Sequence, residues 1–129
     1  MKVTVLGCGR WGSFLAWYHS RHNEVMVWGR EGSRGLAELA DNHSNRYVTL
    51  PESVRYTTSL QKAVDFSDWI VISISAQQLR SLAASLNECS LEGKTVILCM
   101  KGLECETGKR LTEVFREEVT QPVDLAVWV

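Results

Sequence analysis

The sequence lacks a surplus of charge, long apolar runs and paired cysteine motifs. Its 14 basic and 15 acidic residues leave a formal net charge of −1, which provides no general attraction to nucleic acid or an anionic membrane. The unbroken apolar runs are far too short to cross a bilayer. We therefore expect neither nucleic acid nor a membrane among the partners.

Metal-binding and disulfide motifs are also missing. His19 and His22 lie one helical turn apart, but no third ligand accompanies them, so no metal site is predicted. The short apolar segment after Lys2 runs directly into glycines and does not read as an export signal. We therefore expect a cytoplasmic protein with reduced thiols. No C-x-x-C pair or zinc-type spacing occurs among its cysteines, which are Cys8, Cys89, Cys99 and Cys105.

The most informative stretch opens the chain, where an apolar run over 2–6 leads into three glycines with G-x-G-x-x-G spacing. We expect Gly7 to make the tight turn off a strand and Gly9 to let a pyrophosphate approach the backbone. Gly12 would let the following helix lie against the strand. The first turn of that helix has free N–H groups that can bind phosphates. The pattern predicts a dinucleotide-binding turn; the alternative is a connection whose glycines serve packing only.

Segments of strand and helix character alternate along the chain. This alternation predicts an α/β fold, a Rossmann-type doubly wound and mostly parallel sheet in three αβα layers, forming one dinucleotide-binding domain over 1–129. Ser59 is expected to cap the third helix, and Gly35 to interrupt the second. The predicted strands are 2–6, 24–28, 54–57, 68–74, 95–100 and 124–129; the predicted helices are 11–21, 33–39, 60–64, 77–86 and 107–119.

The end of the second predicted strand bears on the choice of nucleotide. A site selective for NAD commonly has an acid here, bound to the ribose 2′-OH, whereas this chain has Gly29 and Arg30, with Glu31 one place later. An arginine can pair with a 2′-phosphate. The sequence therefore favours NADPH, or weak discrimination between NADPH and NADH. The alternative makes Arg30 a solvated residue at the entry to a helix.

Two further residues follow apolar strands at the edge where ligands gather in open α/β sheets, namely Ser75 and Lys101. Lys101 could bind an anionic substrate or hydrogen-bond a carbonyl oxygen on which charge develops. The alternative is a surface lysine at a strand end. The chain stops inside an apolar segment, from which we expect a longer protein; the alternative is a domain that ends on a buried strand.

Together these stretches resemble the N-terminal domain of NAD(P)-dependent glycerol-3-phosphate dehydrogenase. That family's loop reads G-x-G-x-W-G, as residues 7–12 do, and its second strand commonly ends in Trp-x-Arg, as 28–30 do. The most specific match is 101–104, Lys-Gly-Leu-Glu, followed by Thr-Gly at 107–108 and L-x-E-V at 111–114. The segment 45–51 is similar to the family's N-x-x-Y-L-P stretch with altered spacing. This chain departs from the family at 74–76, where Val-Pro-Ser is usual, and at Met100, where Thr is usual.

The resemblance implies hydride transfer between a nicotinamide cofactor, NADPH or NADH, and the pair dihydroxyacetone phosphate and sn-glycerol 3-phosphate, within glycerol 3-phosphate metabolism and phospholipid biosynthesis. It implies that Arg10, Trp11 and Arg30 contact the cofactor, that Tyr47 is a further cofactor contact, and that Lys101 touches both nicotinamide and substrate. The family's proton-transferring lysine and substrate phosphate site lie in a C-terminal helical domain with no counterpart here. The chain alone is therefore expected to bind nucleotide without turnover.

Other functions stay open at this point. A related dehydrogenase of another phosphorylated hydroxy compound would show the same pattern, and so would a non-catalytic nucleotide-sensing module. A methyltransferase also places a glycine-rich loop after its first strand, but usually has an acid at the tip of the second strand, where this chain has Arg30. A homodimer of the full-length protein is neither required nor excluded.

Overall fold

The computed structural model describes residues 1–128, in which strands and helices alternate as predicted. A short 3₁₀ turn, Ala76–Gln78, precedes the fourth α-helix. The elements are β1 Lys2–Leu6, α1 Arg10–Ser20, β2 Glu24–Trp28, α2 Arg34–Asn42, β3 Arg55–Thr57, α3 Leu60–Phe66, β4 Trp69–Ile72, α4 Leu79–Leu86, β5 Thr95–Leu98, α5 Leu111–Glu118 and β6 Asp124–Val127.

The six strands form one sheet in the order β3-β2-β1-β4-β5-β6, and each neighbouring pair is parallel. The chain starts at the centre with β1, builds outward through β2 and β3, and then returns to β4 on the other side of β1. Leu6, at the end of β1, pairs with Trp28 of β2 and Ile72 of β4. The strand order therefore reverses between β1 and β4, and a crevice opens at their carboxyl ends. This topology confirms the predicted doubly wound α/β fold.

Two apolar cores cover the two faces of the sheet. One lies under α1 and α2, where Leu15 and Leu39 are fully buried with Val27 of β2. The other lies under α3, α4 and α5 and includes Phe115. The predicted apolar stripe of the fourth helix belongs to this second core, since all four members are buried, namely Leu79, Leu82, Ala83 and Leu86. The result is the predicted three-layer arrangement.

Some predicted boundaries were wrong. The last helix begins at Leu111 rather than at residue 107, because Gly108, at φ +68°, donates its N–H to the Glu104 carbonyl and closes a turn. Gly35 does not interrupt α2, whose first turn is held by the Ser33 side chain accepting from the Leu36 N–H. The Ser59 cap is confirmed by its bond from the Lys62 N–H. The predicted last strand ends at Val127, and its final position, 129, lies outside the described residues.

Within residues 1–128, no helix has the length and apolar character needed to cross a membrane.

Candidate functional site

A cavity of about 630 Å³ lies at the carboxyl ends of β1, β2 and β4, where the strand order reverses. Its walls come from the β1–α1 loop, the end of β2, the end of β4 and the first turns of α4. Serines and Gln78 from α4 and its preceding turn add polar groups to a partly apolar wall. Seven of the predicted site residues line this cavity, namely Gly7, Gly9, Arg10, Trp11, Gly12, Arg30 and Ser75. The structure thus brings together residues that are far apart in sequence.

The three glycines of the opening loop have different surroundings. Gly7 has φ +125°, and a Cβ there would lie 1.9 Å from the Ser73 carbonyl oxygen. A Cβ on Gly12 would lie 2.6 Å from the Gly7 carbonyl oxygen. Around Gly9, by contrast, no heavy atom of the described residues comes within 4 Å of an added Cβ. Packing therefore excludes a side chain at Gly7 and Gly12, whereas only open space surrounds Gly9.

The N-terminus of α1 faces this space with unsatisfied donors. Gly9 is the N-cap residue and has no side chain with which to cap the helix. The N–H groups of the first turn, from Arg10 to Gly12, have no acceptor within the helix. The positive end of the helix dipole lies at the same point, and that turn contains no acidic residue. Together with the Arg10 guanidinium, this arrangement is suited to binding an anion such as a diphosphate.

Hydrogen bonds through Ser13 and Asn45 hold the loop in place. The Ser13 hydroxyl donates to the Gly9 carbonyl at 2.6 Å and accepts from the Asn45 side-chain amide at 2.8 Å. The Asn45 side-chain oxygen in turn accepts from the N–H groups of Tyr47 and Val48, at 2.9 and 3.0 Å. Sequence analysis missed Ser13 as a site residue. For Asn45, its position in the family-like segment 45–51 was the available signal.

Arg30 lies exposed in the turn between β2 and α2, where its carbonyl accepts from the Ser33 N–H at 2.9 Å. Gly29 immediately before it is tightly packed, since a Cβ there would lie 2.9 Å from the Leu36 Cβ and 3.1 Å from the Cys8 sulfur. An acidic side chain at 29 would therefore need α2 to move. At this corner the structure has room for the Arg30 guanidinium but not for a carboxylate on the residue before it.

Tyr47 and Lys101 lie outside the cavity lining. The Tyr47 ring centroid is 5.7 Å from the Arg10 guanidinium carbon and 5.3 Å from that of Arg46. The ring therefore lies beside Arg10, the first residue of α1. Lys101 is exposed, three residues beyond the end of β5. The roles of Tyr47 and Lys101 stay predictions.

The cysteines are free, and their environments differ. Cys8 lines the cavity, with its sulfur 3.4 Å from the Ser33 hydroxyl oxygen. Cys105 is exposed, whereas Cys89 and Cys99 are buried, and burial raises the pKa of the Cys99 thiol to about 11. No group of three or more potential metal ligands occurs in residues 1–128. Among the four thiols, Cys8 is the one placed to report on occupancy of the cavity.

Comparison with known proteins gives a consistent result. A family model described as "NAD-dependent glycerol-3-phosphate dehydrogenase N-terminus" matches residues 2–129. A curated protein of Chlorobium phaeobacteroides, named glycerol-3-phosphate dehydrogenase [NAD(P)+], is 36% identical over 121 residues, covering 91% of this chain and 36% of its own length. One of the same name from Thermoanaerobacter is 30% identical over 126 residues, covering 95% and 38%. The chain thus spans little more than a third of these relatives.

Solved structures show the same fold. The crystal structure of glycerol-3-phosphate dehydrogenase from Coxiella burnetii superposes with a TM-score of 0.86 at 24% identity, covering 98% of this chain and 39% of that one. The enzyme of the same name from Saccharomyces cerevisiae superposes with a TM-score of 0.78 at 24% identity, covering 98% and 41%.

Proposed function

This chain belongs to the NAD-dependent glycerol-3-phosphate dehydrogenase family, whose N-terminal part it matches over 2–129, and we propose that it is the domain that binds NADPH or NADH in an enzyme interconverting dihydroxyacetone phosphate and sn-glycerol 3-phosphate. Both curated relatives compared above carry NAD(P)+ in their names. The observation that carries the proposal is the open space at Gly9, bordered by the first-turn N–H groups of α1 at the point where the strand order reverses.

The residues present fit a dinucleotide. The diphosphate would be held by the backbone N–H groups at the start of α1 and by Arg10, because these donors are preorganised at an uncapped helix N-terminus. Arg30 would pair with a 2′-phosphate through charge-assisted hydrogen bonds, which favours NADPH. The Trp11 ring and Tyr47 would cover the nucleotide from the solvent side near Arg10, and Ser75 would lie near the nicotinamide. When bound, the nicotinamide supplies or accepts the hydride.

Lys101 is proposed to act on the substrate. Its ammonium would donate a hydrogen bond to the carbonyl oxygen of dihydroxyacetone phosphate, where negative charge develops during reduction. The same charge would attract a phosphorylated substrate. The curated relatives are more than twice as long as this chain. We therefore propose that 1–129 is one domain, and that the remainder of the full-length protein supplies the group that transfers the proton and the site for the substrate phosphate.

We also propose a cytoplasmic location. None of the four cysteines, all within the described residues, forms a disulfide. This state supports a protein of the reducing cytoplasm.

The test uses the full-length protein, dihydroxyacetone phosphate and NADPH, with loss of NADPH absorbance as the readout. We expect oxidation that depends on dihydroxyacetone phosphate and falls by about tenfold or more in Lys101→Met, since removing one donor to a developing oxyanion typically costs at least this much. Binding of NADPH without oxidation would show that the substrate is a different compound. Absence of NADPH and NADH binding would overturn the assignment of the cavity.

A further inference from the structure

The connection between β5 and α5 carries Lys101. The two residues before the lysine, Cys99 and Met100, pack in the apolar cores, but the residues from Lys101 to Leu103 have little apolar anchorage. Lys101 and Gly102 are exposed, and the Leu103 side chain is 53% exposed. Gly102 adopts φ +106°, and a Cβ added there would meet no heavy atom of the described residues within 4 Å. On the C-terminal side of Lys101, polar contacts must therefore hold the chain in place.

A buried carboxylate holds the connection. Glu104 is only 8% exposed, and its two carboxylate oxygens accept from the Nε and one terminal nitrogen of Arg80, both at 2.8 Å. The Thr107 hydroxyl donates to the same carboxylate at 2.6 Å. This forked geometry fixes both distance and orientation, as a single contact would not. The bonds from Arg80 and then Thr107 lower the pKa of Glu104 to about 2, so the carboxylate stays charged at neutral pH.

A second attachment lies one turn away. The Gln77 side chain donates to the Leu103 carbonyl at 3.0 Å and accepts from the Cys105 N–H at 2.8 Å. It therefore binds the backbone on both sides of Glu104. Gln77 belongs to the 3₁₀ turn that joins the end of β4 to α4. Its neighbours Ser75 and Gln78 line the cavity. The stretch after Lys101 is thus tied directly to the cavity wall.

Arg80 is itself oriented from its other side. Its other terminal nitrogen, the one that does not bind Glu104, donates to the Glu118 carboxylate at 2.8 Å and lies 3.1 Å from the Glu117 carboxylate. Both glutamates lie on α5. The guanidinium therefore joins α4, the β5–α5 connection and α5, and its pKa is raised by these carboxylates, above all Glu104. A lysine at position 80 would carry the same charge but could not make the two parallel hydrogen bonds to the Glu104 carboxylate.

We propose that Arg80 and Glu104 are positioning residues that set the place of Lys101 relative to the cavity. This inference rests on the proposed role of Lys101 in the reaction. The Lys101 ammonium must reach a substrate held beside the cavity, and a small displacement of a catalytic group can cost about a hundredfold in rate. Arg80 lies on α4, which lines the cavity, and its ion pair with Glu104 fixes the backbone three residues after Lys101. Only the exposed Gly102 and Leu103 separate Glu104 from the lysine.

The test measures steady-state reduction of dihydroxyacetone phosphate by the full-length protein. Arg80→Lys keeps the positive charge but removes the paired hydrogen bonds to Glu104. Glu104→Gln keeps the shape of the side chain but removes its negative charge. We expect each to lower kcat/KM for dihydroxyacetone phosphate by about ten- to a hundredfold, with the Kd for NADPH changed less than about twofold. Asp68→Asn is the matched control, because its ion pair with Lys94 lies at the amino ends of β4 and β5, whereas Lys101 follows the carboxyl end of β5.

The decisive measurement combines the substitutions. In a Lys101→Met background, Arg80→Lys should cause no further loss of kcat/KM if Arg80 acts through Lys101, whereas independent effects would multiply. Thr107→Val removes the hydroxyl that donates to Glu104 and accepts from the Lys109 N–H, but keeps the Arg80–Glu104 pair. It gives a milder variant if the others fold poorly, and should also lower kcat/KM.

The outcomes separate the two proposals. Wild-type protein that does not reduce dihydroxyacetone phosphate would overturn the proposed function. Active wild-type protein with unchanged kinetics in folded Arg80→Lys and Thr107→Val would overturn the positioning role alone. So would losses that multiply in the Lys101→Met background.

Discussion

Replacing Gly9 by alanine separates nucleotide binding from folding. The Gly9 backbone, at φ −76° and ψ −160°, is accessible to alanine, and an added Cβ meets no heavy atom of the described residues within 4 Å. Alanine is a poorer N-cap than glycine by up to about 1 kcal/mol. Alanine also lowers the conformational entropy of the unfolded chain, which stabilises the folded state by about 0.4–1 kcal/mol. The free energy of unfolding should therefore change by less than about 1 kcal/mol, so Tm moves by only a few degrees.

Nucleotide binding should respond differently. If the diphosphate approaches the Gly9 backbone, a methyl group there displaces it from at least one N–H donor of α1. A hydrogen bond to a charged group contributes about 1.5–3 kcal/mol, which corresponds to a Kd for NADPH about ten- to a hundredfold higher. Gly12→Ala is the matched comparison, because its methyl would lie 2.6 Å from the Gly7 carbonyl oxygen. Such overpacking costs about 1–3 kcal/mol, and Tm should fall accordingly.

The assay pairs thermal unfolding with titration calorimetry of NADPH on both variants and on wild-type protein. The expected pattern is near-normal Tm with weak binding for Gly9→Ala and a clearly lowered Tm for Gly12→Ala. Wild-type affinity in Gly9→Ala would refute the reasoning, because the open space would then not be where the diphosphate binds. An equal fall in Tm for both variants would mean that Gly9 serves packing.

Arg30→Ala should raise the Kd for NADPH about tenfold or more and leave that for NADH nearly unchanged, since only NADPH has a 2′-phosphate to pair with; equal losses would remove this role. NADPH should slow alkylation of Cys8 but not of exposed Cys105, as mass spectrometry would show, and unprotected Cys8 would place the nucleotide elsewhere. Because the folded-state pKa of Glu104 is about 2 against an ordinary 4.5, its charge stabilises the fold above pH 4.5, and this contribution disappears as the pH falls toward 2. The difference in Tm between wild type and Glu104→Gln should close over that range; a difference independent of pH would contradict the ion pair.

Several features could be read from local sequence because they depend on neighbours within a few residues. The periodic apolar pattern located all six strands, and the 3.6-residue stripe of α4 identified its buried side. The Ser59 cap was predictable because a cap acts within three residues. Helix limits were less accurate where a turn intervened, as at Gly108, because competing turn and helix signals overlap there.

For the site, the glycine spacing, a role for each glycine and the Lys-Gly-Leu-Glu motif were visible in the sequence, but the atoms against which each glycine packs were not. Gly7 must lack a side chain because Ser73, which directly follows β4, lies against it. The ties from Asn45 to Ser13 and from Arg80 to Glu104 likewise span 32 and 24 residues. Such contacts depend on how the strands are ordered, which no local pattern encodes.

The amino-acid sequence by itself therefore determined the alternation of strands and helices, the glycine-rich start of α1 and the arginine at the tip of β2, since each follows from residues adjacent in the chain. Only the tertiary structure decided that β4 lies beside β1, that Gly9 is the one glycine of the 7–12 loop that borders open space, and that Arg80 pairs with Glu104. These features arise when distant segments meet, and their distances are set by packing across the sheet rather than by spacing along the chain.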